Sequence, residues 1–476
     1  MYRTLIGRGC QGKNGIITLS TGIPMLLFAI FLLAGAQQAP GGMPASAYAA
    51  RRAAALDRLG SDLLIVPSRA SFLADDQLGY VQAPDFQYLT GLDHLVGAVL
   101  VLDGGSKASV LFTARPARLV NRWIVSPGAE SARQLGMTEV LSVDSLSGWL
   151  ARRFRRPPAR VYVSSVDTRG AVETPIPMAG TVERWRHFLA PMGAATIGPA
   201  VPIVRPLRDI KSAEELAVLR RVGRTSGEAF LAGIRALRPG RWQREAELEV
   251  VAACTKAGAR GVSFWPWTMS GPTAVFTNLF DSFQDYEHVN RQMQAGEVVR
   301  VDVGCQIDHY MGDVGRTAPV SGRFDPGQRE AWDLFIAGYR AGLLTIRDGA
   351  PARAVFEAAT AEIKRLQPGL KTALGRKAAE TLLGPGGTGP WELHGVGLDD
   401  AEGEPETLRA GMTVAYELMF AVEGQGYYLE DMIAITKDGH EVLTPGLPYT
   451  ASEIEAAMKA TPAGRGSGAV RPASRR

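Results

Sequence analysis

One stretch, Val298 to Thr317, reads VVRVDVGCQIDHYMGDVGRT and constrains this 476-residue chain more than any other. It opens with the apolar, β-branched run of a buried strand (Val298, Val299, Val301, Val303). Two carboxylates, Asp302 and Asp313, follow with Gly304 and Gly312 between them. That spacing suits two adjacent strands joined by a short turn, with both carboxylates pointing into one cleft as hard oxygen ligands for a divalent cation. Taken alone, the two acids are better read as a strand end and a turn, so residues elsewhere must decide.

Three further landmarks lie downstream. Trp391-Glu392-Leu393-His394-Gly395-Val396-Gly397-Leu398 places a histidine just ahead of two glycines that let backbone pack closely. Met412 to Glu417 is a strand pattern ending on a glutamate, and Gly426 to Ile435 carries Glu430 and Asp431 inside the next strand. A carboxylate within an apolar strand is costly to bury uncompensated. Few lysines or arginines lie near Glu417 and Glu430 in the sequence, so a bound cation is the expected neighbour.

The N-terminus has the order that export requires. Arg3, Arg8 and Lys13 precede an uncharged apolar run from Ile23 to Leu33, then Ala34-Gly35-Ala36, and no acidic residue occurs before Asp57. This reads as a signal peptide, residues 1–36, and predicts a periplasmic or extracellular protein. The run is short for a membrane-spanning helix and no second one follows, so no stable span is expected after cleavage; an uncleaved anchor is the alternative. The net charge of +4 owes much to basic residues in the two tails, which argues against a nucleic-acid surface. Three cysteines are too few for a disulfide framework. Cys254 and Cys305 could pair, but buried free thiols are the expectation.

Between these landmarks the chain mixes helices and strands. Ala49 to Leu59 has a helix pattern, and Leu63–Val66, Ala98–Leu102, Val110–Thr113 and Val161–Val163 are short apolar runs, with Asp103 to Lys107 as a hairpin link. Pro202 and Pro206 interrupt the chain before a capping box, Ser212 with Glu215, opens a long helix. Further helices are predicted over about Gln243–Ala257, from Asp325-Pro326, over Ala352–Leu366 and over Lys371–Leu383.

The order Asp302, Asp313, His394, Glu417, Glu430 resembles the metal-ligand order of the pita-bread metallopeptidases. YMGDVGRTAPVSGRF resembles that family's Tyr-x-x-Asp-x-x-Arg-Thr-x-x-x-x-Gly segment. DFQYLTGLDHLVGAVLVL, from Asp85, is similar to the N-terminal domain of its creatinase and aminopeptidase P type, and LRDIKSAEELAVLRR to the entry into the catalytic domain. The resemblance covers residues 49 to 450. It implies an α+β protein with a pita-bread catalytic domain, 204–450, preceded by a mixed α/β creatinase-type N-terminal domain, 49–203. A linker at 37–48 and a helical end with a disordered basic tail over 451–476 complete the layout.

The resemblance also implies a role for each residue. Asp313 and Glu430 bridge two divalent ions, Asp302 completes one, His394 and Glu417 complete the other, and Glu417 is the catalytic proton shuttle. Four carboxylates with one neutral imidazole balance two such ions, and oxygen-rich ligation favours manganese, leaving cobalt, iron and zinc open. The implied activity is a dinuclear exopeptidase removing the residue ahead of proline, acting on peptides with proline second, as a homodimer. The alternative is another amide-type hydrolysis on the same metals, dipeptidase-like or creatinase-like, or a catalytically weak binding protein. Several positions depart from the family pattern. Asn278 and Ala401 stand where substrate-side histidines are expected, Tyr428 where an arginine is common, and Leu418 where a proline follows the glutamate. His288 could enter the cleft from an inserted loop. The missing histidines predict slow turnover.

Overall fold

The computed structural model describes residues 43–69, 81–114, 124–164, 181–193, 196–274, 286–384 and 391–460. All lie within one compact unit, Gln38–Arg476. The expected signal peptide, most of the linker, Asn278 and the basic tail from 461 onward fall outside the described residues. The chain end before that tail is the helix Ala451–Lys459.

The first half builds a mixed six-stranded sheet from β1 (Leu63–Pro67), β2 (Val99–Asp103), β3 (Ala108–Thr113), β4 (Glu139–Ser142), β5 (Val161–Val163) and β6 (Ile197–Pro199), in the order β4-β3-β2-β1-β5-β6. Alternation sorts its two faces: Leu64 and Val66 enter one apolar cluster, Leu63 and Ile65 another. Helix Ala45–Leu59 lies on the first of these faces, and its buried Arg52 caps the carbonyls of Leu89, Leu135 and Gly136. The prolines expected to interrupt the chain instead sit within a helix, Val201–Asp209. Pro202 occupies its first turn, where no N–H is needed, and the helix is short enough to tolerate Pro206.

The second half contains β7 (Gly261–Val262), β8 (Trp267–Ser270), β9 (Val298–Val303), β10 (Cys305–Ile307), β11 (Tyr310–Met311), β12 (Val314–Pro319), β13 (Trp391–Gly395), β14 (Thr413–Val422), β15 (Gln425–Ile435) and β16 (His440–Val442). The main sheet runs β13-β14-β15-β12-β9-β8, with β16 on β15. Its helix-facing side carries Val299, Val301, Val303, Tyr416, Leu418, Leu429 and Ile433, which share one core with Phe230, Trp332 and Phe335 of the helices Ala213–Ala236 and Pro326–Leu343. Both helices begin at capping boxes, Ser212 with Glu215 and Asp325 with Gln328.

The stretch from Val298 to Thr317 is one long antiparallel hairpin. Asp302 pairs with Gly315, and further out Ile307 pairs with Tyr310 across a two-residue turn at Asp308-His309, both with positive φ. The ladder changes sheet at Gly304 and Gly312, because a Cβ on Gly304 would overlap the Gly312 carbonyl and one on Gly312 would overlap Ser226 Oγ. Beyond that crossing, β10 pairs with β7, and here Cys254 and Cys305 form a disulfide with Cα atoms 5.5 Å apart. The expectation of free thiols is therefore corrected: the helix Gln243–Lys256 brings Cys254 onto β10, a proximity that 51 residues of separation conceal.

Candidate metal centre

Sheet register builds the centre. Asp302 on β9 pairs with Gly315 on β12, Gly315 with Glu430 on β15, Glu430 with Glu417 on β14, and Glu417 with Glu392 on β13. Side chains at paired positions share a face, so one row across five strands presents four carboxylates away from the helix-packed core. Glu417 lies in the middle of β14 and not at a strand end, since the strand continues to Val422. One step along the sheet, His394 pairs with Ala415, and Asp313 immediately precedes β12.

The side chains converge as this register requires. One ligand atom each from Asp313, His394 and Glu430 lie within 4.8 Å of one another. His394 Nε2 sits 3.2 Å from Glu417 Oε1 and 3.6 Å from Glu430 Oε1. Asp302 joins at the β9 side, where Arg300 Nη2 donates to its Oδ2 at 2.7 Å. Asp302 Oδ1 and Glu430 Oε1 are buried without a hydrogen-bond partner. Bare carboxylate oxygens in a buried cluster are the signature of missing positive charge.

The acidities agree. Burial pushes the Asp302 carboxyl up to about 8, with Arg300 opposing and the Glu430 and Glu417 charges adding to the rise. Burial and the neighbouring carboxylates also raise Asp313 well above the usual range, and burial together with Glu417 raises Glu430. Glu417 is the exception: burial alone would raise it, but hydrogen bonding and charge from His394 hold it below its ordinary value. Burial would lower His394, yet the Glu417 and Glu430 carboxyls beside its Nε2 raise it well above 6.5. Two cations, His394 and Arg300, thus face the four ligand carboxyls Asp302, Asp313, Glu417 and Glu430, an excess of negative charge that divalent ions would offset. The residues present therefore fit two such ions.

The other positions singled out in the sequence divide between this centre and its surroundings. Ala401 is exposed in the loop after His394 and offers only a methyl group. His288 belongs to the short helix Tyr286–Val289. Tyr428 lies in the centre itself, its hydroxyl donating to Glu430 Oε2 at 2.6 Å. Sequence reasoning missed Arg300, although a basic residue two before Asp302 in an alternating strand must share its face. It missed Glu402 as well: this buried carboxylate receives Arg208 at 2.5 Å and Lys211 at 2.8 Å and tethers the loop that follows His394. Asp431, next to Glu430, turns to the opposite face and pairs with Arg316 at 2.7 Å.

Comparison with known proteins places this arrangement. The model of metallopeptidase family M24 matches residues 217–437, and that of the aminopeptidase P N-terminal domain matches residues 48–162. The second half of the chain is thus a metallopeptidase family M24 domain, preceded by an aminopeptidase P N-terminal domain. M24 relatives include an Xaa-Pro aminopeptidase of Escherichia coli strain K12, 28% identical over 418 residues that cover 81% of this chain and 91% of the relative. Xaa-Pro aminopeptidase 2 of Streptomyces coelicolor is 27% identical over 461 residues, covering 90% and 92%. Among solved structures, proline aminopeptidase P II from Yersinia pestis superposes with a TM-score of 0.70 at 26% identity, over 87% of this chain and 99% of that one. The M24 and N-terminal matches bear out the resemblance read from the sequence.

Proposed function

We propose that this M24 protein is a metal-dependent exopeptidase that releases the N-terminal residue of peptides with proline in second position. The observation that carries the reading is the convergence of Asp302, Asp313, His394, Glu417 and Glu430 on one buried sheet face, in a chain whose full-length relatives are Xaa-Pro aminopeptidases. Those relatives favour this reading over a dipeptidase, a creatinase-like hydrolase or a binding protein.

Two divalent ions held by these five residues would polarise the scissile carbonyl and make a water nucleophilic near neutral pH. The donor set, four carboxylates and one imidazole, favours manganese. Glu417 is the acid-base group: its carboxylate faces the centre beside His394, where it can take a proton from the attacking water. Breaking a bond to proline releases a secondary amine, and Glu417 returns the proton to that nitrogen. His394 keeps Glu417 in place through the contact at 3.2 Å. Ala401 contributes no donor to the developing oxyanion, so turnover is slow relative to a site that has one there.

We place the mature protein outside the cytoplasm. The basic, apolar and small-residue blocks before Gln37 support export, and the Cys254–Cys305 disulfide suits an oxidising compartment. A homodimer belongs to the same reading, with sedimentation velocity as its check. The deciding experiment is hydrolysis of Xaa-Pro and Xaa-Ala peptides by purified protein with added manganese. Cleavage confined to Xaa-Pro and abolished by chelation supports the reading, and no release with manganese present overturns it.

A further inference from the structure

A second row of side chains runs beside the carboxylate row. Arg300 and Asp302 alternate on β9, Tyr428 and Glu430 alternate on β15, and Thr317 of β12 pairs with Arg300 and takes the Tyr428 N–H on its Oγ1 at 2.7 Å. The Tyr428 ring occupies the space over Gly315 of β12 that a Cβ there would fill. The Arg300 guanidinium rests over this ring, 4.6 Å from its centre. Tyrosine and arginine are both buried, with relative exposures of 2%.

Each member of this stack ties back one oxygen of one carboxylate. Arg300 Nη2 donates to Asp302 Oδ2 at 2.7 Å and leaves Oδ1 without a partner. The Tyr428 hydroxyl donates to Glu430 Oε2 at 2.6 Å and leaves Oε1 without a hydrogen bond, 3.6 Å from His394 Nε2 on the side of the centre. Arg300 spends little elsewhere: Nε has no partner and Nη1 faces only the Met269 sulfur at 4.0 Å. A buried cation with unused donors is expensive, so its retention beside a carboxylate cluster calls for a use.

We propose that Arg300 and Tyr428 form a clamp that presets Asp302 and Glu430 for metal, each with one oxygen pinned by a hydrogen bond and the other left free of one. The inference rests on the metallopeptidase reading and adds positioning residues to it. The clamp works through geometry. Pinning one oxygen fixes the carboxylate plane, which removes rotamer freedom that metal binding would otherwise have to freeze. Stacking couples the halves, since moving the ring moves the guanidinium that aims Asp302.

The test uses full-length protein, stripped of metal and titrated with manganese chloride by calorimetry. Tyr428→Phe removes one hydroxyl and no charge. Arg300→Lys keeps the charge but loses the planar fork and the stack. Each variant is expected to bind manganese about tenfold to a hundredfold more weakly, and the double variant to lose no more than the weaker single one, as for groups acting as a unit. The rise in melting temperature on adding manganese should shrink in step. A merely structural role would lower the melting temperature with and without metal and leave that rise unchanged. The manganese needed for half-maximal peptide hydrolysis should also increase more than the peptide KM. Wild-type affinity in Tyr428→Phe, or losses that add fully in the double variant, overturns the clamp; Tyr428→Phe alone decides should Arg300→Lys not fold. If wild type itself binds no manganese, the metallopeptidase reading falls, and the clamp with it.

Discussion

Replacing Glu402 by glutamine should destabilise the protein strongly near neutral pH and much less in acid. The carboxylate is buried, with a side-chain exposure of 4%, and it receives Arg208 at 2.5 and 3.2 Å and Lys211 at 2.8 Å, while Leu398 N–H donates to Oε1 at 3.1 Å. Burial alone would raise its pKa, but the two cations outweigh it and hold the carboxyl at about 2, against an ordinary 4.5. The depression is worth about 3 kcal/mol at 1.36 kcal/mol per unit, in line with the roughly 3–5 kcal/mol lost when one partner of a buried pair is removed. Because the folded-state value lies below the unfolded one, this stabilisation is fully present above about pH 4.5 and fades as pH falls towards 2, with about 2 of the 3 kcal/mol gone by pH 3. Glutamine keeps the shape and lacks the charge. Urea unfolding of wild type and Glu402→Gln across pH 3 to 7 measures the difference directly. A gap that is constant with pH, or below about 1 kcal/mol at pH 7, would refute the assignment of the stability to this charge. The same variant should bind manganese more weakly, since Glu402 N–H donates to the Gly395 carbonyl at 2.7 Å, one residue from His394.

Chelation should lower the melting temperature and manganese restore it, because without metal the four carboxylates are left with only His394 and Arg300; Asp313→Ala should abolish the binding of both ions, read by metal analysis after dialysis. Ala401→His should raise kcat more than it changes KM, by as much as about 100-fold if it restores an oxyanion donor, and steady-state kinetics decides. Sequencing the mature N-terminus should find a start after Ala36, and an intact Met1 in a cytosolic fraction would sink the export reading. Replacing both Cys254 and Cys305 by alanine should cost up to about 4 kcal/mol in the chain-entropy account of a 51-residue loop, checked by urea unfolding without reductant.

The sequence by itself determined what depends on near neighbours along the chain. The capping boxes at Ser212 and Asp325 rest on contacts three residues apart, and both helices start there. The alternation of Val299, Val301 and Val303 with Asp302 reports which face of β9 is buried, because side chains on a strand change sides at each residue. The five residues of the centre were legible as an ordered set of acids and one histidine in apolar surroundings, where an uncompensated charge is too costly to persist. Tertiary structure alone decided what those residues touch. Arg300 meets Tyr428 only through the register of β9, β12 and β15, and Cys254 meets Cys305 only through the packing of a helix on β10. Glu402 finds Arg208 and Lys211 across more than 190 residues. No local pattern encodes such pairs. Chain separation sets no distance once strands pair and helices pack, so the partners of a buried charge follow from register and close packing and not from spacing in the sequence.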